Sequence, residues 1–446
     1  MDWSFAPIRM HCSSNRWVPS WKNSRQNSRF EGGMMASIAV IGAGLSGLRC
    51  ATLLQASGHD VQVFERSNQI GGRMQTDAVD GFLLDHGFHV MQTGYPASQR
   101  AFNFQTMEAK AFEPGAIVVE QKNNGAKFWT MADPFRRPFQ GLLSGLNRFA
   151  SPFDLLRVAR LRFAVRRGKV SRVFTGEHDT ALQYLERRGF SPAMIERFFH
   201  PLFSGIFLED DLRTNERMFR FVFRMMSEGQ MVLPKHGIAA APKQLAQRLG
   251  QDRIHLNSTV DIRNDTEMLV NGEEHSFDAI VKAFNPAMGE EKRHVWTLHF
   301  DAESSPLRTN HILLNAGVKS TEGLIAHLAV PSDVQPSYAP EGRSLITITV
   351  VGERADARGL RDASAVEAAV RSELSTWYPE VSKAWRLLAV QHIQHALPEI
   401  GKEINLGTTP RSNGFECGDH TVHGSVEGAL SSAETTAQRI EAYLRK

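Results

Sequence analysis

The chain has 446 residues, 42% of them hydrophobic and 22% charged, which suits an ordinary folded protein with two or three domain-sized cores. Its net charge of +3, from 51 basic and 48 acidic side chains, falls short of the concentrated basic footprint that nucleic acid requires. No apolar run reaches the roughly 18 residues of a membrane span, and Cys12, Cys50 and Cys417 are too scattered for a CxxC zinc site or a disulfide framework.

The first 33 residues are basic, serine-rich and acid-poor, without apolar periodicity, and Met34-Met35 directly precede the first convincing strand. They read as a disordered tail or as an extension upstream of a start at Met34 or Met35. The competing reading is a targeting peptide, and the missing apolar stretch excludes a secretory signal. Ser37 to Ile41 is a short apolar run stopped by glycine, the pattern of a parallel strand buried on both faces. Leu45 to Ser57 follows as a helix ended by Gly58, and Val61 to Phe64 is the next strand, so the chain opens as a βαβ unit.

The join between strand and helix is Gly42-Ala43-Gly44-Leu45-Ser46-Gly47, a GxGxxG. Gly42 permits the tight turn, Gly44 lets the backbone approach a pyrophosphate, and Gly47 lets helix and strand pack closely. The helix N-terminus then holds negative charge with its N–H groups and dipole. Glu65, beside Arg66, ends the second strand, where a carboxylate accepts hydrogen bonds from a ribose diol and repels the 2′-phosphate of NADP. Gly71-Gly72-Arg73 comes next: two glycines let the chain pass close to a ligand, and the arginine neutralises pyrophosphate. An NAD dehydrogenase has no need of this second phosphate loop.

Between Arg136 and Arg172 ten basic side chains face one acid, Asp154, and alternate with Leu142, Leu143, Leu146, Phe149, Phe153, Leu155, Leu156, Leu161 and Phe163. This predicts helices that either lie on anionic lipid or form a solvated face. Residues 213 to 227 also read as helix, with Phe219, Phe221, Phe223, Met225 and Met226 serving as core or as the lining of an apolar channel. Arg253 to Val260 and Phe277 to Ala283 are strand-like. The stretch from about 287 to 398 mixes strand (Ser344 to Val351) with helix (Ser364 to Trp377). Gly414 to Cys417 is a last short strand, followed by Gly418-Asp419 and a helix from about Ser425. A carboxylate at Asp419 can hold a ribitol hydroxyl, and the helix N-terminus can stabilise charge on a reduced flavin, so the cofactor expected is FAD.

In these segments the chain resembles the flavin-containing amine oxidase superfamily, in the branch of phytoene desaturases, protoporphyrinogen oxidases and hydroxysqualene dehydroxylases. Ile41 to Gly47, Glu65 and Gly71-Gly72-Arg73-Met74 match its FAD signature. Asp85-His86-Gly87-Phe88-His89 and Tyr95-Pro96 resemble the segment that passes the flavin, and Ala396-Leu397-Pro398 and Gly418-Asp419 match C-terminal landmarks. Two departures stand out. Phe277 to Pro286 lacks the usual small-residue run ending in Thr, and no paired aromatics of the amine-cage type are evident, which argues against primary amines.

The resemblance implies an α/β, two-dinucleotide-binding-domain flavoprotein fold, a Rossmann-like FAD-binding domain with an interleaved α+β substrate domain. The FAD-binding domain is expected from 36–110, 230–286 and 410–446, and the substrate domain from 111–229 and 287–409. It implies cofactor contacts at Gly42, Gly44, Leu45, Ser46, Gly47, Glu65, Arg66, Gly71, Gly72, Arg73, Gly418, Asp419, Val426 and Ala429, with the Val260 backbone on adenine. His86 is the flavin-adjacent candidate for a catalytic role.

The pairs His86/His89, His392/His395 and His420/His423 have a helical metal-ligand spacing but no third ligand, so no metal is expected. The expected reaction is hydride removal from a hydrophobic substrate, an isoprenoid, carotenoid or tetrapyrrole, with oxygen or a quinone as acceptor. An amine oxidase or a non-catalytic flavin-fold protein is the alternative. The expected location is the cytoplasm, with peripheral membrane contact, or an organelle if the first 33 residues are a transit peptide.

Overall fold

A computed structural model describes residues 29–30, 33–87, 90–122, 125–132, 136, 151–174, 179–285, 293–317, 323–398 and 414–445. Phe88, His89, Arg137 to Ala150 and nearly all of the N-terminal segment lie outside them.

The first layer system is a five-stranded parallel sheet in the order Ile254–His255, Asp60–Phe64, Ser37–Ile41, Ala279–Lys282, Phe415–Glu416. Its centre is Ser37–Ile41, an uninterrupted apolar strand because both of its faces are covered. Ile38 and Val40 turn toward the helices Leu45–Ala56, Ala240–Leu249 and Val426–Leu444, meeting Leu48, Leu54, Leu245, Leu430 and Ile440. Ala39 and Ile41 turn the other way, against Met268 and Val270 of a three-stranded meander, Val260–Ile262, Glu267–Val270 and Glu273–Ser276. Glu434 on the C-terminal helix pins the helical side, pairing with Arg49 at 2.7 Å and Arg100 at 2.5 Å.

The stretch Arg253 to Val260, expected as one strand, divides. Ile254–His255 joins the parallel sheet, the chain turns at Asn257 (φ 53°), and Val260–Ile262 starts the meander. The turn is held because Asn257 N–H donates to the Ser67 carbonyl and Ser258 N–H to the Glu65 carbonyl, at 2.9 and 2.8 Å.

The second system is a seven-stranded mixed sheet, in the order Gly125–Ala132, Gly115–Lys122, Ile312–Asn315, Ile325–Ala329, Ser344–Val351, Arg293–Ala302, Arg386–Leu397. Leu298, Phe300, Ile346 and Ile348 on one face pack under Val366, Val370 and Leu374 of the helix Ala363–Trp377. Ala116, Val118, Ile312 and Leu314 on the other face meet a helical layer that includes Pro152–Arg166, His200–Phe207 and Glu216–Glu228. Phe219, Phe221 and Met225 are fully buried in that layer, while Phe223 and Met226 pack at its margin. The core reading of this aromatic stripe therefore accounts for its buried members.

Candidate functional site

Gly42 sits at φ 108°, and its N–H donates to the Phe64 carbonyl at 2.8 Å, closing the turn. A Cβ there would stand 2.9 Å from the Ala283 carbonyl oxygen, and one at Gly47 would collide with the Gly42 carbonyl. These two glycines are therefore fixed by protein contacts. Gly44 is different: at an ordinary φ of −77°, a Cβ added to it meets nothing within 4 Å. Gly44 is also the N-cap of Leu45–Ala56, with no capping side chain and no acid in the first turn, while Leu45 and Ser46 are buried. The first N–H groups of the helix thus start beside a glycine with open room where a side chain would stand, the cradle an anion requires.

Ala283, absent from the sequence-level candidates, is what Gly42 and Gly47 pack against; its N–H donates to Ile41 at 2.9 Å. A small residue is needed at this strand end, and Ala283 supplies it beside the bulkier Phe284.

Glu65 is brought to the same turn. One carboxylate oxygen accepts the Ala43 N–H at 2.8 Å, and the other accepts Ser67 N–H and Oγ–H, both at 2.9 Å. Arg66 beside it is exposed, and the turn at Asn257 and Ser258 delivers half-buried Val260 to this neighbourhood. The Gly71-Gly72 loop closes the opposite side. Gly71 N–H donates to the Ala43 carbonyl at 2.8 Å, and a Cβ on Gly72 (φ 58°) would stand 3.4 Å from Gly44 Cα. Two glycine backbones therefore face each other across the cradle. Arg73 reaches further than a phosphate contact alone would require. Its guanidinium pairs with Asp419 at 2.7 Å and donates to the Ala396 carbonyl at 2.9 Å, joining three segments distant in sequence.

Asp419 is buried at the end of the edge strand, after Gly418, whose N–H donates to Ser432 Oγ at 3.0 Å. Ser425 caps Val426–Leu444 by accepting the Gly428 N–H at 3.0 Å; Val426 is half-buried and Ala429 buried in the first turn. Glu427 turns away, and both its oxygens accept the Ala97 N–H, at 3.1 and 2.8 Å. Burial pushes this carboxyl up to about 7.

His86, the expected flavin neighbour, is half-buried, and its Nε2 lies 2.7 Å from Asp77 on the hairpin Thr76–Val79, Phe82–Asp85. No contact ties it to the glycine cradle among the described residues. Its neighbour Asp85 is the more constrained group: buried, it accepts from Thr76 Oγ (2.6 Å), Ile238 N (2.9 Å) and Tyr338 OH (2.7 Å). His392 and His395 lie on the strand Arg386–Leu397, His395 within a register slip between Ile393 and Leu397 and His392 before it, stacked on Trp296. His89 falls outside the described residues, and His420 pairs with Glu416 at 2.9 Å.

No helix of the described residues is long and apolar enough to cross a membrane. A solved oxidoreductase from Methanosarcina mazei superposes with TM-score 0.67 at 18% identity, covering 90% of this chain and all of that one. Cyclohexylamine oxidase from Brevibacterium oxydans does so with TM-score 0.66 at 13% identity, covering 91% of this chain and all of that one. At such identities the likeness shows the fold. A 4,4′-diapophytoene desaturase of Staphylococcus haemolyticus is 52% identical over 50 residues, which is 11% of this chain. That match spans only about a tenth of the relative's length, 10%. The sequence profile described as flavin containing amine oxidoreductase matches residues 45–288 and 293–441. The chain belongs to the flavin-containing amine oxidoreductase family, with FAD as the family's cofactor and the two-dinucleotide-binding α/β fold.

Proposed function

We propose that the protein removes hydride from a hydrophobic substrate, an isoprenoid or carotenoid desaturation or a tetrapyrrole oxidation, and passes the electrons to oxygen or a quinone. In this reading 36–110, 230–286 and 410–446 make the FAD-binding domain, while 111–229 and 287–409 make the substrate domain. Bound FAD would supply a two-electron acceptor for the substrate's C–H bond.

The residues fit that cofactor. The open side of Gly44 and the free N–H groups of Leu45–Ala56 suit the pyrophosphate, with Gly42 and Gly47 shaping the turn and Gly71 and Gly72 closing it. The lone pair left on the Ala43-bound oxygen of Glu65 suits a hydroxyl of the adenosine ribose, with Arg66 alongside and the Val260 backbone at the adenine. The Arg73–Asp419 pair suits the ribitol side, and the helix head at Val426 and Ala429 suits the ring edge where charge develops on reduction. The chain itself contributes orientation, and hydride transfer needs no acid–base group; the proton that the adjacent atom must lose to complete the double bond passes to solvent. The spectrum of the purified protein is expected to be that of oxidised flavin. Anaerobic addition of a detergent-dispersed C30 or C40 polyene, or of a reduced tetrapyrrole, is expected to bleach it, with primary amines leaving it unchanged. Bleaching by amines alone would overturn the substrate class.

The substrate class rests on one observation, the helix Pro152–Arg166. Asp154, wholly buried, anchors it to Ser191 through hydrogen bonds of 2.7 and 3.0 Å, and Leu161 and Val165 face the core. The opposite side leaves Phe153 71% exposed, Leu156 49% and Phe163 70%, beside exposed Arg160 and Arg167. Large apolar side chains interleaved with arginine on an outward face suit insertion into an anionic lipid surface, from which an apolar substrate can enter. The protein is expected to sediment with anionic liposomes and to be released as salt rises. Arg160→Gln with Arg167→Gln should weaken that binding, and Phe153→Ser with Phe163→Ser should abolish it, both with full flavin content. Arg157 is unsuitable for this test because it pairs with Asp154 at 3.2 Å. Equal sedimentation of all variants would exclude this face.

A further inference from the structure

His423 stands two residues before the helix cap Ser425, and it is 5% exposed. Its ring lies between Phe221, 5.1 Å away, and Phe174, 5.9 Å away, and Phe221 stacks on Tyr95 at 5.6 Å with the rings 2° from parallel. The site is otherwise aromatic, so an imidazole here needs a reason. Ser425 gives its state. Ser425 Oγ accepts the Gly428 N–H at 3.0 Å and lies 2.9 Å from His423 Nδ1. Ser425 Oγ keeps its own hydrogen to give while it accepts the Gly428 N–H, and His423 Nδ1 is the acceptor within its reach among the described residues, so the arrangement that satisfies the hydroxyl has Ser425 donating to Nδ1. Burial holds the ring neutral, down to about 4. Nδ1 is therefore the acceptor, and the single ring proton sits on Nε2.

That Nε2–H has no partner among the described residues, and it is not sealed within the packing. The arrangement is a relay of fixed direction: the helix cap orders the serine, the serine orders the imidazole, and the imidazole presents one donor from an aromatic wall. Its position is equally defined. Asp419, tied to Arg73, lies four residues before it, and Pro398 stands 3.0 Å from where a Gly424 Cβ would be.

We propose that His423 is a ligand-binding residue whose Nε2–H, oriented by Ser425, donates to a carbonyl-type oxygen bound at the head of the C-terminal helix, beside Tyr95, Phe174 and Phe221. The oxygen belongs either to the flavin ring edge or to an apolar substrate or quinone acceptor carrying one carbonyl. The inference rests on the reading that the flavin ring edge lies at this helix head.

The test uses purified holoenzyme. His423→Phe keeps an aromatic ring among Phe174 and Phe221 and removes the donor, while His423→Gln keeps an N–H donor. Flavin content and far-ultraviolet circular dichroism come first. A wild-type protein without flavin would defeat the functional reading rather than this one. With flavin bound, two quantities are measured: the reduced-to-oxidised flavin ratio against a reference dye, and the affinity for decylbenzoquinone, an apolar carbonyl probe. If the oxygen is the flavin's, His423→Phe lowers the reduced fraction by on the order of tenfold, since a donor to developing negative charge is lost, and His423→Gln restores much of it. If the oxygen is the ligand's, that ratio stays fixed and decylbenzoquinone binding falls by roughly 2- to 10-fold, again restored by Gln. Neither change in a folded, flavin-loaded His423→Phe protein overturns the proposal. A His423→Phe protein that does not fold leaves the decision to His423→Gln and Ser425→Gly. Unchanged flavin ratio and quinone affinity in His423→Gln, with one of the two altered in Ser425→Gly, support the donor, and no change in either variant overturns it.

Discussion

Gly44→Val is expected to give a folded protein that has lost most of its flavin. Valine adopts the extended conformation of Gly44 (φ −77°, ψ −178°) without strain, and its Cβ would meet nothing within 4 Å, so the protein itself is not crowded. At a helix N-cap, valine is a poorer residue than glycine, with a loss of about 1 kcal/mol. The ligand is crowded instead, because the branched side chain fills the space where pyrophosphate must approach the Leu45–Ala56 helix. Crowding of about 1–3 kcal/mol corresponds to a weakening of up to roughly a hundredfold, before the lost backbone hydrogen bonds are counted. Gly47→Val is the contrast. Its side chain would run into the Gly42 carbonyl, so that variant should fail to fold rather than fold without cofactor. Flavin absorbance per folded protein, with circular dichroism on both variants, separates the two outcomes. A folded Gly44→Val protein with full flavin occupancy would refute the pyrophosphate placement.

Asp85 should carry the second large effect, on stability. Asp85→Ala leaves Thr76 Oγ–H, Ile238 N–H and Tyr338 O–H without their buried acceptor, and a cost of roughly 3–5 kcal/mol is expected. Asp85→Asn should behave in the opposite sense at neutral pH. Burial raises the Asp85 carboxyl from its ordinary 3.8 to about 6, so the folded state binds its proton more tightly than the unfolded chain does. Folding is therefore unpenalised by this group below about pH 4. A cost grows as pH rises from about 4 to 6, and above that it is constant at about 3 kcal/mol. Asparagine carries no charge: its oxygen can still accept from Thr76 and Ile238, and its amide can donate to the Tyr338 oxygen. The stability of Asp85→Asn relative to wild type should thus climb between pH 4 and 6 and then level off, read from urea midpoints at each pH. A flat difference across that range would mean that Asp85 does not ionise in the folded protein as described.

The glycine turn and its carboxylate were legible in sequence because their geometry is local. Gly42, Gly44 and Gly47 act within six residues, and Glu65 follows at the distance one helix and one strand impose. The strand Ser37–Ile41 and the helices Leu45–Ala56 and Val426–Leu444 were equally legible, since a continuous apolar run or a capped apolar stripe identifies each. The split of Arg253 to Val260 was hidden, because it depends on the carbonyls of Glu65 and Ser67, nearly two hundred residues earlier. The partners of the Asp85-His86 motif were hidden for a related reason. The motif draws attention to the imidazole, yet Asp85 is the residue that meets Tyr338 and Ile238, and neither is near it in sequence.

The sequence by itself determined the parallel-sheet unit, the glycine turn, the flavin class and the interleaving of two units, all consequences of side-chain periodicity and short-range backbone sterics. Only the tertiary structure decided that Arg73 pairs with Asp419, that Ala283 packs against Gly42 and Gly47, and that Arg293–Ala302 lies between Ser344–Val351 and Arg386–Leu397. It also decided that Phe153 and Phe163 remain outside while Leu161 and Val165 go in. Each of these depends on which distant surface a side chain meets after the chain has closed its long loops, and no local pattern encodes that meeting.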